Sequence, residues 1–171
     1  MNFEAQRILI IGNLASGKTR LARSIAKKTN RPCYHIDSFQ FDQNLNIRPL
    51  HLIRDELKKI EDQKHWIIDG FGPLDGLEAR MKAAEQIIFL DLPSIQSYWW
   101  LTLRFIKSLW RPRSELPPGS SELNLKHIKK AYATLRKIHF GMLPELRRIL
   151  EKPEYKSKTL IITSKSTLLK L

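Results

Sequence analysis

Short apolar runs alternate with amphipathic stretches along this chain. Arg7–Ile11 (RILII) is apolar and runs into a glycine, the pattern of a buried strand. Leu21, Ala22, Ile25 and Ala26 then recur at helical spacing, which predicts a helix over Gly17–Thr29. Pro32–Ile36 predicts a second strand. Leu50, Ile53, Leu57 and Ile60 stripe a helix across Pro49–Gln63. Trp66–Asp69 (WIID), stopped by Gly70, and Gln86–Leu90 (QIIFL), closed by Asp91 and Pro93, predict the third and fourth strands. Ser94–Leu109 predicts a helix rich in aromatics, and Leu116–Ser121 (LPPGSS) a loop. Leu123–Leu150 predicts a long helical stretch bent near Gly141 and Pro144. Thr159–Thr163 (TLIIT) predicts a fifth strand.

Short apolar strands in alternation with helices imply an α/β fold with a mostly parallel sheet. No internal repeat, low-complexity tract or long linker divides the 171 residues, so one domain is expected over 1–171. Ligands of open parallel sheets bind beyond the carboxyl ends of the strands. The residues that follow the predicted strands are Gly12–Thr19, Asp37, Asp69 and Asp91, with Thr163, Ser164 and Lys165 after the fifth.

Composition narrows the setting more than the chemistry. Hydrophobic residues make up 42% and charged residues 27%, ordinary for a globular protein. No apolar run approaches the roughly 18 residues of a membrane span. MNFEAQR has no basic stretch followed by an apolar core, so no secretory signal is expected. A single cysteine, Cys33, forms no internal disulfide and fits a reducing cytoplasm. Lys+Arg 30 against Asp+Glu 17 leaves a net charge of +13, which predicts an anionic partner or substrate. A nucleotide, a nucleic acid and a membrane surface all remain open on charge alone.

The stretch Gly12-Asn13-Leu14-Ala15-Ser16-Gly17-Lys18-Thr19 changes that picture. It fits G-x-x-x-x-G-K-[ST] without a gap, between a predicted strand and a predicted helix. Glycines let the backbone curl so that successive N–H groups face inward and, with the helix N-terminus, hold phosphate oxygens. Lys18 would reach the β- and γ-phosphates of ATP, and the Thr19 hydroxyl would ligate Mg²⁺. Asp37 and Asp69 each follow an apolar run and precede small or polar residues, so both are expected near this loop. A carboxylate there either binds Mg²⁺ or accepts the proton of an attacking hydroxyl. Asp91, before Leu92-Pro93, reads as a cap or turn residue outside the site.

Phosphoryl transfer also needs positive charge on the transferred group and exclusion of water. Arg104, Arg111 and Arg113 precede the Pro/Gly/Ser loop and suit a lid at about residues 110–123. Arg80 is a candidate for gripping an anionic substrate. Tyr98, Trp99, Trp100, Phe105 and Trp110 suit either an aromatic wall or, for most of them, core packing. The five histidines show no metal-ligand spacing and receive no chemistry. Lys126, Lys129, Lys130, Arg136, Lys137, Arg147 and Arg148 make either a nucleic-acid patch or a solvated face, the latter being the commoner use of such a stretch.

These segments resemble a known group. GNLASGKT, HIDSF, HWIIDGF, QIIFLDLP after Arg80, RPRSELPPGSSE and TLIITS together resemble the small P-loop kinases related to adenylate and shikimate kinases. The RPRSELP stretch and the basic helix after it are most similar to the branch labelled DNA topology modulation proteins. The resemblance implies a three-layer P-loop NTPase fold, with five parallel strands in the order 2-3-1-4-5, helices on both faces and a small lid. It implies ATP and Mg²⁺ at Gly12–Thr19 and an acceptor over the Asp37 side. Asp37 would contact the acceptor or the metal, Asp69 would belong to the metal shell, and Arg104, Arg111 and Arg113 to the lid. Adenylate kinases follow Asp-Gly-Phe with Pro-Arg, whereas Gly72-Pro73 stands here, so the arginine that grips AMP is missing at that spot. The expected activity is transfer of the γ-phosphoryl group of ATP to a small-molecule acceptor. The alternative is an ATP-regulated nucleic-acid binder acting on DNA topology. The sequence carries no readable code for the acceptor or for an oligomeric state.

Overall fold

Five strands form one parallel sheet in the order β2-β3-β1-β4-β5. The structure, a computed structural model, describes residues 4–110 and 125–169. The strands are β1 (Arg7–Gly12), β2 (Cys33–His35), β3 (Trp66–Asp69), β4 (Gln86–Leu90) and β5 (Thr159–Ile162). β1 is central, with Ile10 in register with Asp69 of β3 and Gly12 with Leu90 of β4.

A two-residue side-chain period divides the isoleucine-rich strands between two cores. Leu9 and Ile11 join Trp66, Ile68, Ile87 and Phe89 on one face, while Ile8 and Ile10 join Ile67, Ile88 and Leu90 on the other. The first face is covered by α3 (Leu50–Glu61), α4 (Leu77–Ala83) and α7 (Leu143–Leu150), through Ile53, Leu57, Met81, Leu143 and Leu146. The second is covered by α1 (Lys18–Thr29), through Leu21, Ala22 and Ile25. The order and the two covered faces are those the resemblance implied.

A third cluster forms away from the sheet. Leu101 and Phe105 of α5 (Ser94–Ser108) pack on Ala131 and Leu135 of α6 (Leu125–Lys137), and Leu14 and Ala15 of the phosphate loop lean against them. The stacked Tyr98 and Tyr132 rings join the same two helices.

The bend expected near Gly141 and Pro144 is a π-type segment, Ile138–Met142, between α6 and α7. Gly141 lies inside it. Pro144 lies in the first turn of α7, where a missing N–H costs nothing. Four short helices escaped the periodicity: α2 (Asp37–Gln40), α4, α8 (Pro153–Lys156) and α9 (Lys165–Leu169). The proposed lid at 110–123 lies, apart from Trp110, outside the described residues.

Candidate active site

The phosphate loop connects β1 to α1 at the carboxyl edge of the sheet. Gly12 sits where no side chain fits: a Cβ there would lie 2.6 Å from the Leu90 carbonyl oxygen, and its φ of +151° suits glycine. Asn13 and Ser16 are buried. The Asn13 carbonyl accepts the Ser16 N–H at 3.3 Å and the Lys18 ammonium at 2.6 Å, which closes the loop on itself. Asn13 Oδ1 accepts the Leu14 N–H at 2.7 Å. Asn13 Nδ2 and Ser16 Oγ are buried without a hydrogen-bond partner.

Asp69 ends β3 and is 5% exposed. Its Oδ2 accepts the Thr19 hydroxyl at 2.7 Å, so the last loop residue is tied to the neighbouring strand end. The same oxygen accepts a hydrogen bond from His35 Nδ1 at 3.1 Å. Burial alone would raise the Asp69 pKa, but the His35 hydrogen bond, the Lys18 charge and the Thr19 hydroxyl outweigh it and hold the carboxylate below its usual range. His35 is raised to about 9, first by its bond to Asp69 and then by Cys33 Sγ beside Nε2.

Sequence reasoning gave His35 no chemistry and did not foresee its contact with Asp69. His35 and Asp69 are register partners at the ends of adjacent parallel strands. The signal was available in HIDSF and IIDGF, two strand ends with a titratable residue at the same height.

Asp37 opens α2. The Ile36 N–H donates to the Asp69 carbonyl at 3.0 Å, which fixes the end of β2 against β3 and brings Asp37 to the same cleft. That cleft has a volume of about 1120 Å³, enough for a nucleotide with a second small molecule. Gly12, Leu14, Ala15, Ser16, Gly17, Lys18, Thr19, Asp37, Asp69 and Arg104 all line it. Trp100 lines it as well, whereas Trp99 and Trp110 are exposed and Phe105 is core. Further cations reach it from α1 (Arg20, Arg23), α5 (Lys107), α6 (Lys130) and α9 (Lys165). The α6 lysines Lys126, Lys129, Lys130 and Lys137 are all exposed, on the side of the helix away from the buried Ala131 and Leu135, and Lys130 also borders the cleft.

Arg80 is a correction. It does not line the cleft and is 2% exposed. Its guanidinium bonds Glu61 at 3.2 Å and the carbonyls of Phe71 and Pro73 at 2.5 and 2.8 Å, so it holds the turn after β3 and has no path to a substrate. The signal lay in its spacing: Leu77, Arg80 and Met81 share the buried face of α4, and a charge on an apolar face must be paired. Asp91 is kept outside the site by a two-pronged ion pair with Arg147, at 2.7 and 2.6 Å. Arg104 borders the cleft with its guanidinium 5.5 Å from the centre of the Phe105 ring. Arg111 and Arg113 lie outside the described residues.

Among the described residues, no group of three His, Cys, Asp or Glu side chains forms a metal cage, and no helix is long and apolar enough to cross a membrane.

No family model matches the chain, and no curated protein matches it. Solved structures do. A gluconokinase from Sinorhizobium meliloti 1021 aligns at a TM-score of 0.52 with 12% identity, over 95% of this chain and 85% of that one. A shikimate kinase from Aquifex aeolicus aligns at 0.48 with 17% identity, over 96% and 92%. Another, from Bacteroides thetaiotaomicron, aligns at 0.47 with 16% identity, over 97% and 93%. The likeness to the gluconokinase is one of fold.

Proposed function

We propose that this protein is an ATP- and Mg²⁺-dependent phosphotransferase acting on the hydroxyl of a small molecule. One observation carries the reading. The Thr19 hydroxyl, closing an intact G-x-x-x-x-G-K-T loop, is bonded to the buried Asp69 carboxylate inside a cleft that also holds Asp37.

The residues present fit a nucleotide and its metal. A buried amide nitrogen and a buried hydroxyl without partners, Asn13 Nδ2 and Ser16 Oγ, are satisfied by a ligand that brings oxygens. Thr19 and Asp69 are hard oxygen donors, and Mg²⁺ bound with substrate phosphates needs only one or two of them from protein. Mg²⁺ supplies neutralisation of the β- and γ-phosphate charge.

The remaining work belongs to the chain. Loop amides from Gly12 to Thr19 hold phosphate oxygens at the start of α1. Lys18 exchanges the Asn13 carbonyl for a phosphate oxygen. Asp37 accepts the proton of the acceptor hydroxyl as that oxygen bonds the γ-phosphorus and the bond from the γ-phosphorus to ADP breaks. Arg104, with Arg111 and Arg113 of the proposed lid, offsets charge on the transferred group.

ATP turnover with Mg²⁺ against a panel of hydroxyl compounds tests this. One acceptor should raise turnover well above the water rate, and Asp37→Ala should remove roughly 10²- to 10⁴-fold of that rate. Hydrolysis stimulated only by DNA or RNA would instead favour the nucleic-acid reading and sink this one.

A further inference from the structure

The cleft has a cationic part and an apolar part, and the division bears on the acceptor. Apart from Asp37 and Asp69, the segments after β2 and β3 and the π-type segment present Gln40, Phe41, Leu45, Phe71, Leu74 and Met142 to the cleft. Among the described residues, the cations that line it sit instead on α1, α5, α6 and α9, the helices that begin at or pack around the phosphate loop.

This apolar wall is built, and the arginines nearest to it in sequence are what hold it. The Asp42 carboxylate accepts the N–H groups of Asn44 and Asn46, both at 2.8 Å, and so shapes the loop that carries Phe41 and Leu45. Arg48 donates to the Phe39 carbonyl at 2.7 Å and to Glu56 at 3.0 Å, which ties that loop to α3. Arg80 is bonded to Glu61 and to the carbonyls of Phe71 and Pro73. Neither arginine lines the cleft. A phosphate or carboxylate set against this wall would leave water without meeting a counter-charge from it, and would also approach the two aspartates. A neutral body would release water from Phe41, Phe71 and Leu74 instead, leaving its hydroxyl to Asp37.

Building on the phosphotransferase reading, we infer that the acceptor is an uncharged hydroxyl compound with an apolar or aromatic body, rather than a phosphate monoester or a carboxylate.

Matched acceptors that differ only in an anionic group test this with the purified full chain, MgATP and a coupled ADP assay. Suitable pairs are adenosine and AMP, thymidine and TMP, glucose and gluconate, and the methyl ester of shikimate and shikimate. At least one neutral member should raise turnover more than tenfold over the water rate, with kcat/KM at least tenfold above that of its anionic partner. Preference for the anionic members overturns the inference and leaves the phosphotransferase reading intact. Failure of every pair to raise turnover overturns both. Leu74→Arg, at an exposed position of the wall, adds an independent check. It should shift the neutral-to-anionic ratio toward the anion by tenfold or more while the KM for ATP stays unchanged. An unmoved ratio in a folded, active variant would show that the wall does not read acceptor charge, which also overturns the inference.

Discussion

Two glycine-bearing turns leave neighbouring parallel strands at the same edge of the sheet, one after β1 and one after β3. They resolve their polar groups in opposite ways. Gly12–Thr19 buries Asn13 Nδ2 and Ser16 Oγ without protein partners, and its Lys18 rests on a carbonyl of its own loop. The turn from Gly70 to Gly76 has Arg80 beneath it, which satisfies the Phe71 and Pro73 carbonyls from inside the protein. Leaving a buried polar group unmade costs on the order of 1–3 kcal/mol, so the first turn holds a cost that a ligand relieves. The second has its carbonyls satisfied from within, and the atom it leaves unpaired, Arg80 Nε, is buried on a residue that does not line the cleft. On the proposed reading, the basic residue beside the first turn serves the chemistry, and the one beside the second serves the architecture.

Substitution of the two basic residues should separate these roles. Lys18→Ala should lower phosphoryl transfer by roughly 10²-fold or more, as loss of a preorganised charge at the transferred group does. Its urea midpoint should fall less than that of Arg80→Ala, because Lys18 is half-buried and donates to a carbonyl of its own loop. Arg80→Ala should do the reverse. Removal of one partner from a buried ion pair destabilises by about 3 kcal/mol, which for a chain of this size is roughly a 6–12 °C fall in Tm. Arg80→Lys keeps the charge without the planar fork and should fall between. A normally stable Arg80→Ala variant with a raised acceptor KM would return Arg80 to the substrate and dissolve the contrast.

The same contrast decided what was legible in the sequence. Gly12–Thr19 is contiguous, so the loop between β1 and α1 could be recognised without knowing any tertiary contact. β3 and β4 fall on the predicted residues because buried parallel strands are bare apolar runs. The order of the strands came from resemblance and not from periodicity, which carries no information on which strands pair. The turn after β3 was opaque for a physical reason. Its structure depends on Glu61 and Arg80, 19 residues apart, and on α4, a helix of seven residues and too short for its stripe to stand out. His35 was missed likewise, since its partner Asp69 lies 34 residues away.

The His35–Asp69 pair makes the contrast sharper because it supports the ligand-open turn from behind. Its folded pKa of about 9 lies above the ordinary 6.5. The stabilisation is therefore complete below pH 6.5 and is lost as pH rises through 9. Thermal unfolding of metal-free protein from pH 6 to 10, beside His35→Asn, measures it. The parent should lead the variant at pH 6 and lose that lead above pH 9. A lead that is flat across the range would mean that His35 is neutral and merely packed.

A third strand-end turn, after β4, sets the limit of the comparison. Asp91 emerges there beside β1, as close to the phosphate loop in topology as Asp69, yet its carboxylate is held by both prongs of Arg147. Arg147 is 40% exposed, so solvent screens the pair. Its removal should cost only about 1 kcal/mol or less, a shift of a few degrees at most. Arg147→Ala should accordingly leave acceptor phosphorylation at the parental rate. A tenfold loss of turnover with unchanged Tm would place Asp91 in the chemistry. A carboxylate already satisfied by the protein would then be no sign of an architectural role, and the reading of Arg80 by the same criterion would fall with it.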